Sequence, residues 1–281
     1  MRRSLTILIV SACISVSWAS DSTTGEVLAA PAPRRPTFEL ADVIYPYEPT
    51  YFLLDVGRFN AKFQVSVSAR AIGPTISARD GSDRCQGLYV SYSQTSFWDL
   101  GTISSPFFDT SYRPEVWWHQ DGLPHAWLGA NGFDLQGGFG HESNGQGEGL
   151  SRSMNKLFIR PVARWGLDEC DLRLRPRFLA YVFDMSDNPN MADYRGYADL
   201  EGDLTLRRGA LSGLRLSTLC RIGRDGNRGS MQIDLSYPFG HLTGNWFNLI
   251  GYVQFFDGWS ETLRTYDERS HRLLVGFAIT R

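Results

Sequence analysis

MQIDLSY, residues 231–237, is the stretch that decides the fold. Met231, Ile233, Leu235 and Tyr237 alternate with Gln232, Asp234 and Ser236. A period of two puts the first set on one face of a β-strand and the second on the other. The pattern recurs in both directions along the chain. Phe63, Val65, Val67 and Ala69 alternate with Gln64, Ser66, Ser68 and Arg70; Leu204 and Leu206 with Thr205 and Arg207; Leu214 and Leu216 with Arg215 and Ser217. Phe247, Leu249, Gly251, Val253 and Phe255 form another apolar face, and so do Leu273, Val275, Phe277 and Ile279. Gly, Asn, Asp and Pro turns separate these segments.

Alternation of this kind suits a soluble β-sandwich, which buries its apolar face in a core. It equally suits a membrane β-barrel, which turns that face to lipid. Three features favour the barrel. The N-terminus reads as an export signal, no segment with a helical 3.6 period interrupts the strands, and aromatics gather near segment ends, as at Tyr89, Tyr92, Phe97 and Trp98 and at Trp117 and Trp118. The second faces also carry Arg, Gln, Asp and Ser repeatedly, as a polar lumen requires. No run of about 18 apolar residues follows the signal, which argues against helical spans. The expected fold is therefore all-β, a transmembrane antiparallel β-barrel.

The chain has 281 residues, enough for one large domain or two small ones. Its 28 basic and 30 acidic side chains leave a net charge of -2, without the basic footprint of a nucleic-acid binder. Met1-Arg2-Arg3 and the apolar run from Leu5 to Val16 precede Ser17-Trp18-Ala19, so residues 1–19 read as a signal peptide cleaved after Ala19. A plain membrane anchor would need a longer run, and the faint lipoprotein box Val10-Ser11-Ala12-Cys13 has its cysteine too early in the apolar stretch. Residues 20–44, rich in Ser, Thr, Ala and Pro, read as a flexible lead-in, and 45–281 as the barrel domain. Beyond the signal stand Cys85, Cys170 and Cys220, which lack CxxC spacing and a zinc-type histidine set. One disulfide is possible, with its pair undetermined.

FDLQGGFGHESNG, residues 133–145, carries the chemistry. Every second residue gives Phe133, Leu135, Gly137, Phe139, His141 and Ser143, an apolar face that ends in a base and a nucleophile. The next segment, SRSMNKLFIRPVARW from Ser151, places Asn155, Leu157 and Ile159 on its apolar side. A hairpin through the Gly-rich turn NGQGEGL sets Asn155 beside His141 and Ser143. A serine hydroxyl needs an imidazole to take its proton, and the imidazole needs its other nitrogen held. The Asn155 side-chain oxygen can do this, fixing tautomer and ring direction without a full charge. Taken alone, a His-x-Ser pair at a strand end is more often an ordinary polar rim. There is no GxSxG elbow, so an α/β-hydrolase is excluded.

The run HESNG…SRSMN resembles the signature of the bacterial outer-membrane phospholipase A family, with His141, Ser143 and Asn155 on its catalytic base, nucleophile and orienting asparagine. LYVSYSQTSFW at 88–98, SSPFFDTSYRPE at 104–115, and SDNPN with MADYRGY at 186–197 resemble it too, in the same order. The likeness covers roughly 45–281. It implies a twelve-stranded outer-membrane barrel, monomeric until a homodimer forms the active enzyme, with Ca2+ in each site. It implies cleavage of sn-1 and sn-2 acyl esters of phospholipids and lysophospholipids through an acyl-enzyme on Ser143, with the backbone N–H of Ser143 aiding oxyanion stabilisation. It also implies calcium ligands: Ser104 of the partner subunit, the Gln146 carbonyl, the Ser151 hydroxyl and Asp187.

Departures from the family pattern are local. Gln146 stands where arginine is common, Glu148 where aspartate is, and Met154 where tryptophan is. A carbonyl ligand makes the first unimportant, and Met154, opposite in face to Asn155, should affect packing more than chemistry. Without the resemblance, Asp187-Asn188-Pro189 would be a turn and Ser104-Ser105-Pro106 a loop. His119, His241 and His271 read as loop or rim residues, Asp109, Asp121 and Asp134 as lumen or loop charges, and Arg173, Arg175 and Arg177 as a lumen network or strand rim. Two rival functions share every barrel feature: a passive porin and a structural barrel without chemistry.

Overall fold

A computed structural model describes residues 44–58, 60–73, 86–124, 129–147, 149–240 and 249–281. The expected signal peptide, nearly all of the expected lead-in, Cys85, Glu148 and His241 lie outside the described residues. The strands are β1 (Ile44–Tyr45), β2 (Thr50–Asp55), β3 (Asn60–Ile72), β4 (Gly87–Asp99), β5 (Phe107–Gln120), β6 (Gly132–Ser143) and β7 (Ser153–Gly166). Then follow β8 (Cys170–Leu174), β9 (Arg177–Val182), β10 (Ala198–Leu206), β11 (Arg215–Ile222), β12 (Gly229–Pro238), β13 (Ile250–Trp259) and β14 (Arg269–Thr280). One short helix, α1 (Met191–Arg195), sits between β9 and β10.

All pairings are antiparallel, and the sheet closes because β2 joins β14 to β3 while β3 also pairs with β4. The fourteen segments make twelve barrel strands. β1 and β2 both lie against β3, interrupted by Pro46 and Pro49, and β8 and β9 both lie between β7 and β10, interrupted by Pro176. Proline donates no ladder hydrogen bond, so it breaks these two strands without redirecting them. Closure leaves no open edge, which a lipid environment demands of strands.

Burial is inverted relative to a soluble protein. Lys62, Gln64, Ser66 and Ser68 are buried, whereas Val65 and Val67 between them are 51% and 39% exposed. Leu157, Ile159, Leu235, Val253, Val275 and Phe277 are also exposed. A sandwich would bury these side chains; a bilayer solvates them. The interior is polar and cross-linked. Gln254, fully buried, accepts from Lys62 Nζ at 2.6 Å and donates to Asp234 Oδ1 at 2.9 Å. Arg175 meets Asp203 at 2.9 Å, and Arg177 pairs with Glu115. A cavity of about 400 Å³ remains, lined among others by Lys62, Gln64, Arg175, Asp203 and Asp234.

His119 corrects a sequence expectation. It is not a rim residue: β5 runs on to Gln120, so His119 is 2% exposed in the lumen, beside Gln136 and Asp134. His271 is outward and exposed near one strand end, 3.4 Å from Asp257. Asp109 and Asp134 are buried inward. Cys170 and Cys220 are free thiols on β8 and β11, so they are not joined to each other.

Candidate active site

The face of β6 settles why an apolar row ends in His141 and Ser143. Asp134, Gln136 and Glu142 are buried inward, and the alternate set containing Phe139, His141 and Ser143 turns outward. Gly138 and Gly140 belong to the inner set. A Cβ on Gly138 would lie 2.2 Å from the Val116 carbonyl and 2.5 Å from Trp117 Cβ, so glycine lets the Trp117 ring fill the lumen there. Apolar outward residues suit lipid, and the polar pair sits at the strand end where the chain leaves it.

Register sets two of the expected trio, His141 and Asn155, against each other. His141 lies directly opposite Asn155 in the β6–β7 ladder, and Ser143 opposite Ser153. His141 Nδ1 is 2.9 Å from Asn155 Oδ1. Because that oxygen can only accept, Nδ1 carries the proton and Nε2 keeps its lone pair. Ser143, two residues on, shares the outward face at about 6.6 Å along the strand. All three side chains are half-buried.

The loop from Ser143 to Ser153 is held by Asn144, which by sequence is simply the first residue of a Gly-rich turn. Asn144 is 2% exposed; its Oδ1 accepts from Arg152 N at 2.9 Å and Gln146 N at 3.3 Å, and its Nδ2 donates to the Leu150 carbonyl at 2.9 Å. Gly145 follows at φ 64°, the left-handed region where glycine is favoured. An Asn-Gly pair signals a turn, but nothing local says that its side chain will bridge the whole loop.

Of the four expected calcium ligands, two meet. Ser151 Oγ donates to Asp187 Oδ2 at 2.8 Å, although 36 residues separate them. Asn188 backs this contact, accepting from Ser153 N at 2.9 Å while itself fully buried. Gln146 is in the same loop as Ser151, exposed. Ser104 lies on another loop, the exposed turn between β4 and β5, at φ 67°. Nearby, hydrogen bonds from the Ser186 hydroxyl and backbone N–H hold the Asp184 carboxyl below the usual carboxylate range. A hydroxyl, a carbonyl-bearing loop and one carboxylate form an all-oxygen set, the donor chemistry of a hard cation such as Ca2+. Among the described residues, no cluster of three His, Cys, Asp or Glu offers a transition-metal centre. Met154, fully buried, packs with Met191, Leu263 and Tyr266 inside the barrel and away from the site.

Residues 43–279 match the family described as Phospholipase A1. A protein of Neisseria meningitidis serogroup B assigned as a phospholipase A1 is 31% identical over 228 residues, which cover 78% of this chain and 54% of that protein. The chain thus spans about half the length of that relative. The solved outer membrane phospholipase A from Escherichia coli superposes with a TM-score of 0.66 at 25% identity, covering 84% of this chain and 97% of that one. The Salmonella typhi outer membrane phospholipase, solved as a dimer with bound calcium, shares the fold at a TM-score of 0.66 and 24% identity, over 84% of this chain and 91% of that one.

Proposed function

The chain belongs to the phospholipase A1 family, and on that premise we propose that it hydrolyses phospholipid acyl esters with Ser143 as nucleophile, His141 as general base and Asn155 as the residue orienting His141. The barrel is of the outer-membrane type. The observation that carries the reading is the 2.9 Å contact from His141 to Asn155 on the lipid-facing side, with Ser143 beside it.

The chemistry runs in two halves. His141 Nε2 takes the Ser143 hydroxyl proton as Oγ attacks the ester carbonyl carbon. The tetrahedral adduct collapses, the carbon–oxygen bond to the glycerol breaks, and His141 returns its proton to the departing lysophospholipid oxygen. Water, deprotonated by the same imidazole, then releases the fatty acid and restores Ser143. Asn155 keeps Nδ1 protonated throughout, so Nε2 is always the exchanging nitrogen.

Ser151, Asp187 and the Gln146 carbonyl are the residues of this subunit that would hold calcium, with Ser104 of the partner subunit completing the set in a homodimer. When bound, the ion supplies positive charge for the developing oxyanion. Leu157 and Ile159, exposed on the same face, suit the acyl chains once a second barrel forms the opposite wall. Such a site lies idle in the monomer, which protects the host membrane. Both sn-1 and sn-2 esters, and lysophospholipids, are within this reading.

The test is fatty-acid release from phospholipid–detergent micelles, comparing wild type with Ser143→Ala, each with calcium and with a chelator. Turnover confined to wild type with calcium supports the whole scheme. Activity that survives the chelator removes calcium from it. A folded wild type that is inactive under dimer-forming conditions overturns the hydrolytic reading in favour of a passive barrel.

A further inference from the structure

Glu142 stands between His141 and Ser143 and points the other way, into the lumen, where it is 2% exposed. Its carboxylate accepts three hydrogen bonds. Ser111 Oγ on β5 donates at 2.8 Å, Lys156 Nζ on β7 at 2.9 Å, and Arg195 Nη2 at the end of α1 at 3.0 Å. A buried carboxylate so arranged is fixed in place, because any displacement leaves desolvated charges without partners.

The origin of each donor gives this cluster its meaning. Lys156 follows Asn155, so the inward Glu142–Lys156 pair backs the outward His141–Asn155 pair across the same two strands. Arg195 comes from the segment between β9 and β10, which also carries Asp187 and Asn188. That segment is anchored independently of Glu142. Met191 packs against Met154 and Leu263, Tyr181 Oη donates to the Gly196 carbonyl at 2.8 Å, and Asp193 meets Arg228 at 3.2 Å.

We propose that Arg195 and Glu142 are positioning residues, an inner clamp that sets the strand bearing His141 and Ser143 against the loop bearing Asp187. The inference rests on the hydrolytic reading above for its kinetic consequence, but not for its structural one. Neither side chain touches the outer face, so neither contacts substrate. The clamp acts through the backbone: α1 is held by Met154, Leu263, Tyr181 and Arg228, Arg195 reaches from it to Glu142, and Glu142 fixes the peptide units of its two neighbours. Ser151 and Asp187 then meet on the outer side because the inner side is already locked.

Arg195→Met and Arg195→Lys test this, with Ser111 and Lys156 left to satisfy Glu142 so that the barrel still folds. Far-UV circular dichroism and resistance to heat in detergent confirm folding. The first readout is hydrogen–deuterium exchange without substrate or added metal. Arg195→Met should speed exchange both in 141–144 and in 183–190, and Arg195→Lys should restore protection. The second is kinetics: Arg195→Met should lower kcat about tenfold with KM within about twofold, and Arg195→Lys should recover most of it. If Arg195→Met folds with unchanged exchange in both segments, the clamp is overturned. If wild type itself shows no turnover, the hydrolytic reading fails, while the exchange comparison still decides the clamp.

Discussion

His141 and Asn155 face each other across the β6–β7 ladder with Nδ1 2.9 Å from Oδ1, on the outside of a barrel whose inside holds the charged residues. An imidazole so held has one tautomer. Asn155→Ala removes the acceptor and frees the ring. One neutral hydrogen bond of this kind is worth about 1 kcal/mol, so kcat should fall roughly tenfold with KM little changed. Steady-state kinetics on micellar phospholipid check it, and an unchanged kcat would remove Asn155 from the mechanism.

Ser143→Ala should lower turnover by about 10³-fold or more, the scale of losing a nucleophile. A long-chain alkyl phosphonofluoridate should label wild type at Ser143 and leave the variant unmodified. Peptide mass mapping reads the position, and labelling at another serine would contradict the assignment.

In the calcium site proposed here, Ser151 Oγ donates to Asp187 Oδ2 at 2.8 Å, so both would be ligands from one subunit. Asp187→Ala deletes its one carboxylate, so the calcium concentration for half-maximal activity should rise by about tenfold or more. Ser151→Ala should do so to a lesser degree. Titration calorimetry in detergent provides the independent measure, and an unaltered calcium affinity in Asp187→Ala would place the ion elsewhere.

Ile159, 48% exposed in the middle of β7, separates a lipid-facing wall from a water-facing one. Ile159→Arg should destabilise the barrel in vesicles by about 2–4 kcal/mol, the cost of an arginine near the bilayer midplane. Urea unfolding in lipid measures it. On a water-exposed surface the same change would fall within about 0.5 kcal/mol.

Met154 is fully buried among Met191, Leu263 and Tyr266, on the opposite face from Asn155. Met154→Ala should leave a cavity costing about 2–4 kcal/mol. Its kcat, measured well below the unfolding transition, should fall less than in Arg195→Met, because Tyr181 and Asp193 still anchor the segment that carries Asp187. Loss of activity without loss of stability would show that this face matters to the chemistry.

Much of the barrel was legible in the sequence because strand faces follow from a strictly local rule. The alternation of 231–237 names the inward Asp234 and the outward Leu235 without any knowledge of neighbours. The hairpin joining β6 to β7 is also short-range, so the meeting of His141 with Asn155 could be anticipated. His119 was harder. Following Trp117 and Trp118 it reads as a rim residue, and its burial shows only once β5 pairs with β6, where His119 lies opposite Gln136 and faces the lumen. The inner clamp was invisible, since Glu142 gives no sign that an arginine 53 residues away will reach it.

The sequence by itself determined which residues share a face, where the chain turns, and that a base, a nucleophile and an amide crowd one end of a hairpin. These follow from backbone geometry acting over a few residues. The tertiary structure alone decided that Asp187 meets Ser151, that Arg195 and Lys156 converge on Glu142, and that the β8 and β9 segments form one broken strand. Those contacts exist because the sheet closes on itself. Closure brings distant strands and loops to the same end of the lumen, where each buried charge must find its partner in what the fold delivers rather than in what lies nearby in the chain.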